Sequence, residues 1–271
     1  MPTTFSQLLG QPTRDLRPHI RSGAYTGQTA GLGPHCLQAN LAILPAEYAL
    51  DFMRFCQRNP KPCPLVGVSD TGNPMMHTLG RDIDIRSDVP AYYIYEAGEV
   101  SQTVTDLTAI WRDDFVAFAL GCSFTFEHAL LDAGIALSHI RDNTTVPMFT
   151  SSIPTVPAGP FGGTMVVSMR AIPHERVEDV IAISKRFPQA HGGPVHMGDP
   201  AQIGIADIMA PDFGDPAEVP AGTVPMFWAC GVTPQVAIRA AKLPIVITHK
   251  PGHMLITDIA DDAETTILPP Q

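Results

Sequence analysis

The sequence predicts a mixed α/β protein with a partly parallel sheet and a smaller, separate α+β domain. Three observations predict it. In the last third, VPMFWAC (224–230), PQVAIRAAK (234–242) and PIVITH (244–249) read as strand, helix and strand, the pattern of a βαβ unit. The middle holds a separate strand and helix, TMVVSM (164–169) and then Val177, Val180, Ile181 and Ser184 at helical spacing. The chain has 271 residues, 45% hydrophobic and 16% charged, long enough for one large domain or two modest ones. We assign 1–150 and 224–271 to the larger domain and 151–223 to the smaller.

The elements follow in order. Over 45–58, Pro45 suits a first helical turn, and Ala49, Phe52, Met53 and Cys56 share a face. NPKPCP then ends the helix, because a residue before proline avoids the α region. Residues 91–104 read as a hairpin about Ala97-Gly98. Helical periodicity behind Asp106 predicts a helix over 106–120, and Ser123 is placed to cap a second one over 124–133 that Gly134 ends. Pro173 opens the helix of the middle segment, which stops before Pro188. Thr233 is the expected N-cap of the last helix, with Pro234 at its first position, and MLITDI (254–259) is a further strand.

The bulk numbers exclude several functions. A net charge of −10 argues against nucleic acid or an anionic membrane as partner. The apolar runs 114–122 and 224–232 are too short or interrupted to span a bilayer, and MPTTFSQLLG lacks a signal-peptide pattern. Five cysteines without a CxxC pair fit a reducing cytoplasm better than a disulfide framework or a zinc finger. The glycines of RSGAYTGQTAGLG (21–33) lack the spacing of a nucleotide-binding fingerprint. An acidic small molecule is the expected ligand, and it needs a local arginine or helix N-terminus against the global field. A homo-oligomer is compatible with this composition.

Ligands of open α/β sheets gather at the carboxyl ends of strands. Cys230 and His249 end two predicted strands, and Thr233 starts the helix between them; if those strands are parallel neighbours, all three share a rim. His249 and His253 flank a Lys-Pro-Gly that forbids a helix, and HGGPVHMGDP (191–200) is a loop carrying His191, His196 and Asp199. Asp199 reads first as the cap of a short helix beginning at Pro200. Cys122 and Ser123 sit at a helix start, where an anion is favoured. Arg58 and Arg112 are candidate charge partners, although Arg112 opens a charged stretch of the ordinary solvated kind.

The stretches QANLAILP (38–45), FCQRNPKPCPL (55–65), WRDDFVAFALGCSFTFE (111–127), HGGPVHMGDPAQIGI (191–205), FWACGVTPQ (227–235) and ITHKPGHMLITD (247–258) resemble the bacterial hydro-lyase family related to D-glutamate cyclase. The resemblance implies a two-part mixed α/β fold, with a three-layer α/β/α domain and a smaller two-layer α+β domain, an intracellular enzyme, and dehydrating cyclisation of D-glutamate to 5-oxo-D-proline. It brings no catalytic residue with it. Where relatives often read Asn-Ile-Pro-Cys, this chain has Ser152-Ile153-Pro154-Thr155.

Set against that reaction, His191, His196, His249 and His253 are candidate acids and bases, and Cys230 a further catalytic candidate. Cys122, Ser123, Thr233, Arg58 and Arg112 are candidate substrate contacts, with carboxylates held at helix N-termini. The scheme requires no cofactor and no metal. Two alternatives stay open: metal-assisted hydrolysis or hydration on the histidine loops, and carboxylate binding without catalysis.

Overall fold

The computed structural model describes residues 2–263 of the chain, so the end of the 224–271 segment lies outside the described residues. Helices α1 (Phe5–Leu8) and α2 (Thr13–Arg21) precede strand β1 (Cys36–Pro45), which runs directly into α3 (Ala46–Arg58). Then come β2 (Leu65–Val68), the hairpin β3 (Tyr92–Glu96) and β4 (Glu99–Val104), β5 (Phe115–Gly121) and α4 (Phe124–Asp132). The middle holds α5 (Ser138–Asp142), β6 (Met148–Pro154), β7 (Thr164–Pro173), α6 (Val177–Ser184) and the short β8 (His196–Met197). The last elements are β9 (Thr223–Ala229), α7 (Thr233–Ala241), β10 (Val246–His249) and β11 (Leu255–Ala260).

The class is α/β, as the sequence predicts. The strands form two sheets: β2-β5-β1-β10-β3-β4, with β11 also on β1, and β6-β7-β9-β8. The parallel component is not there. Every strand pairing among the described residues is antiparallel. The strand, helix and strand read over 224–249 all exist, but β9 belongs to the smaller sheet and β10 to the larger. Helix α7 thus links two sheets, and the crossover rule for parallel neighbours never applies.

The helix expected over 106–120 is a second correction, because 115–121 is strand β5, buried at every position. Its apolar residues are continuous, so periodicity could not separate buried strand from buried helix. Alternate residues serve two cores. Phe115, Ala117 and Ala119 join Leu41 and Ile43 beneath Met76, Leu79 and Ile83 of an irregular segment. Val116, Phe118 and Leu120 join Phe52 and Phe55 of α3 and Ala237 and Ile238 of α7. Helices therefore cover one face of the larger sheet and irregular chain the other. On the smaller sheet, Ile172, Met226 and Trp228 pack on Phe126 and Leu130 of α4 and Val180 of α6.

The hairpin turns where it was expected, with Ala97 and Gly98 both left-handed (φ 51° and 88°), the geometry of a two-residue turn. The two sheets meet at a seam built from Cys122, Phe124, Met148, Val166, Cys230, Val232 and Met254. Gly121 is essential to that approach: a Cβ there would lie 1.7 Å from the backbone oxygen of Gln189. We expect Gly121→Ala to cost about 3 kcal/mol, the upper end of overpacking effects, read as a lower urea midpoint. An unchanged midpoint would mean that the 188–190 turn gives way freely. No helix among the described residues is long and apolar enough to cross a membrane.

Candidate functional site

At the junction of the sheets lies a cavity of about 350 Å³, bounded by Tyr93 and Tyr95 of β3, Gln235 and Arg239 of α7, Lys250, Phe213 and Asp215. Each side chain is there for a local reason. Tyr93 and Tyr95 alternate along one strand and so share a face, their rings meeting edge-on 6.3 Å apart. Gln235 and Arg239 stand one helical turn apart on one side of α7. Lys250 follows the last residue of β10, and its backbone N–H is tied to the carbonyl of Ala91 at 2.8 Å. The lining carries two cations, Arg239 and Lys250, against one carboxylate, Asp215. Arg239 reaches outward to Glu99 at only 3.8 Å, and Glu99 is largely exposed, so that pair does little to neutralise it. A small acid is the ligand such a lining favours on a protein of net charge −10.

Of the residues singled out in the sequence, His249 adjoins this cavity from behind. The rungs between β1 and β10 stop at Ala42 and Thr248, and the Leu41 N–H instead donates to His249 Nδ1 at 3.0 Å. That contact puts the imidazole hydrogen on Nε2. Gln235 Nε2 lies 3.4 Å from His249 Nε2 but donates to the His249 carbonyl at 3.2 Å. Burial holds His249 at about 4. His253 Nδ1 donates to the Pro251 carbonyl at 2.9 Å, and burial lowers this histidine as well.

The cysteines and the hydroxyls belong to the seam. Cys230 Sγ packs on Met148 Sδ at 3.4 Å, and burial pushes its thiol up to about 11. Burial raises Cys122 too, so neither is a thiolate at neutral pH. Thr233 is the first helical residue of α7 and not its cap; its Oγ1 accepts from the Val166 N–H at 3.0 Å. Ser123 precedes α4 but caps nothing, because its Oγ accepts from Arg170 at 3.0 Å.

The remaining candidates lie elsewhere. Arg58 donates to the Pro157 carbonyl at 2.6 Å. Arg112 is forked onto Asp114 beside the start of β5, whereas Cys122 follows its end, roughly 20 Å away at the rise of an extended strand. His191 is buried with Nδ1 donating to the Lys61 carbonyl at 2.8 Å, and burial lowers it to about 4. His196 lies on β8 with Nε2 donating to the Asp199 carbonyl at 2.8 Å. Asp199 itself caps the short helix at Pro200, accepting from the Ala201 N–H at 3.0 Å. His191, His196 and Asp199 thus face three different partners and do not converge as a ligand set. Among the described residues no group of three His, Cys, Asp or Glu side chains is arranged around a metal position.

Sequence reading missed a buried charged cluster on the smaller sheet. Arg170 of β7 donates through Nε to Glu127 Oε1 at 3.0 Å and through Nη1 to Ser168 at 3.1 Å, with Phe126 and Trp228 flanking the guanidinium. His139 Nε2 lies 3.0 Å from the same carboxylate oxygen. Burial pushes Glu127 up, but His139 and Arg170 overcome it and hold the carboxyl at about 2. The signal was present in TMVVSMRAIP, where one arginine interrupts a strand that is otherwise without charge.

Comparison with known proteins agrees with the resemblance. The family model described as D-glutamate cyclase matches residues 116–258. A protein of Dinoroseobacter shibae named "Putative hydro-lyase" is 66% identical over 98% of this chain and 89% of its own length. A relative of the same kind from Ruegeria pomeroyi is 66% identical over 99% of this chain and 98% of its own. One from a Jannaschia species is 62% identical over 93% and 95%. With its fold continuous through the matched region and such relatives spanning nearly its whole length, the chain belongs to the D-glutamate cyclase family.

Proposed function

We propose that the protein is a hydro-lyase that cyclises D-glutamate to 5-oxo-D-proline. The observation that carries this reading is a single small cavity bearing both Arg239 and Lys250, in a chain of this family. In the reaction the amino nitrogen bonds to the γ-carboxyl carbon. One oxygen of that carboxyl departs as water, with the two protons that the ammonium gives up. Arg239 and Lys250 hold the two carboxylates and neutralise charge on the departing oxygen. This replaces the helix N-terminus expected to hold them, since the first residues of α7 are buried against β7.

We assign the proton acceptor to His253. Its Nδ1 hydrogen is committed to Pro251, which leaves Nε2 as the basic nitrogen; the residue follows the cavity's Lys250 and Pro251 by one turn without itself lining the cavity. His249 stays neutral behind Gln235, whose amide donates to its carbonyl. The five unpaired cysteines support a reducing compartment such as the cytoplasm.

Purified protein incubated with D-glutamate should yield 5-oxo-D-proline by chiral mass spectrometry. Arg239→Gln and Lys250→Gln should each raise KM about tenfold, the loss of one charge-assisted hydrogen bond, without lowering the thermal midpoint. The acid limb of kcat/KM should lie below pH 6.5, because burial lowers His253 and keeps it basic there. No product at high enzyme loading sinks the lyase reading. If D-glutamate still raises the thermal midpoint in that case, the protein is a carboxylate-binding protein without turnover.

A further inference from the structure

We propose that Asp215 and Gln235 recognise the substrate's ammonium group, so that the cavity selects amino dicarboxylates over dicarboxylates that lack the amine. The inference takes its substrate from the lyase reading above and adds a specificity subsite to it. Two cations alone would accept any small dicarboxylate. The cavity also holds two acceptors, each fixed by the backbone around it.

Gln235 is the first. Its Nε2 donates to the His249 carbonyl at 3.2 Å, and that contact orients the amide. The amide oxygen has no hydrogen-bond partner among the described residues, and the side chain lines the cavity. Asp215 is the second. Its backbone N–H donates to the Thr145 carbonyl at 3.0 Å, and its Oδ2 accepts from the Thr145 N–H at 2.8 Å. That reciprocal pair anchors one carboxylate oxygen; the other has no hydrogen-bond partner among the described residues, and Asp215 lines the cavity.

The preceding Gly214 holds the turn in place. It is left-handed (φ 77°), and a Cβ there would lie 2.2 Å from the Val146 carbonyl oxygen. Phe213 meanwhile bridges to Met148 at the start of β6. An alkylammonium has three hydrogens to donate and no acceptor, so a carboxylate oxygen with an amide oxygen satisfies it. The same carboxylate repels the substrate's own carboxylates toward Arg239 and Lys250, which fixes how the molecule lies.

The test is isothermal titration of the full chain with D-glutamate and with glutarate, which has the same two carboxylates and no amine. Wild type should bind D-glutamate at least about tenfold more tightly. In Asp215→Asn, which keeps an oxygen for the Thr145 N–H, D-glutamate affinity should fall about tenfold while glutarate affinity holds or improves. Gln235→Met should narrow the preference in the same direction. Equal shifts for both ligands, a preference that survives both substitutions, or no binding of either ligand to wild type would each overturn the proposal. The two readings fail separately. Selective binding without product removes the lyase and leaves the subsite, whereas product formation with selectivity indifferent to both variants does the reverse.

Discussion

Replacing Arg170 with methionine is expected to cost about 3–5 kcal/mol of unfolding free energy, the usual result of removing one partner of a buried ion pair. Arg170 is 3% exposed and Glu127 1%, so the carboxylate left behind has no route to bulk water. The damage reaches beyond the pair. Arg170 also holds Ser123 and Ser168 and is packed by the rings of Phe126 and Trp228, which tie α4 to the smaller sheet. Lysine should not restore the loss, since a single ammonium cannot donate to Glu127, Ser123 and Ser168 from the planar fork they require. Urea denaturation of Arg170→Met, Glu127→Gln and their double variant measures the coupling. The double variant should be less destabilised than the two single losses added together. A loss below about 1 kcal/mol in Arg170→Met, the scale of a surface pair, would show that apolar packing alone holds α4 on that sheet.

That cluster also marks a boundary of sequence reading. Local signals were legible wherever a residue acts on its own backbone. Asp199 before Pro200, Ala97-Gly98 in the hairpin and the prolines after Arg58 each work through φ and ψ or a neighbouring N–H, and each sits as expected. The errors arise where the deciding partner is distant in sequence. FVAFALG is a strand because β1 and β2 flank it, which its own periodicity cannot reveal. The βαβ pattern failed for the same reason: it encodes the order of elements but not which sheet each strand joins.

The functional candidates divide along the same line. Ser123 and Thr233 looked like helix caps from their neighbours, but their hydroxyls are taken by Arg170 and Val166 across the seam. Arg239 and Lys250 carried no motif. Arg239 reads as an ordinary last-turn cation of α7, and Lys250 as a residue in a histidine loop. Only the packing of α7 between the sheets turns them toward one cavity with Tyr93 and Tyr95. The histidines were visible because they are chemically unusual. What could not be seen is that His249 and His191 spend Nδ1 on the backbone at Leu41 and Lys61.

Those two buried imidazoles lead to the second large effect, a steep loss of stability in mild acid. Burial lowers both His191 and His249 from the ordinary 6.5 to about 4. The unfolded chain therefore takes up these protons first as the pH falls. Their contribution is complete above pH 6.5, declines between 6.5 and 4, and is gone below that. Each is worth on the order of 3 kcal/mol, so together they match much of the 5–15 kcal/mol that holds a typical domain. Burial lowers His128 and His253 in the same direction, while the raised carboxyls of Asp88 and Asp261 oppose it. Glu127, held at about 2, extends the decline below pH 4.5. Thermal midpoints measured from pH 7.5 down to 4.5 should be flat above 6.5 and fall sharply below. His191→Gln and His249→Gln should each flatten the slope even where they lower the midpoint at pH 7.5, because the titrating group is gone. A midpoint unchanged from pH 6.5 to 4.5 would mean that water reaches both rings, and with it the packing of the 188–191 turn against β5 and of α7 against β10 would need to be redrawn.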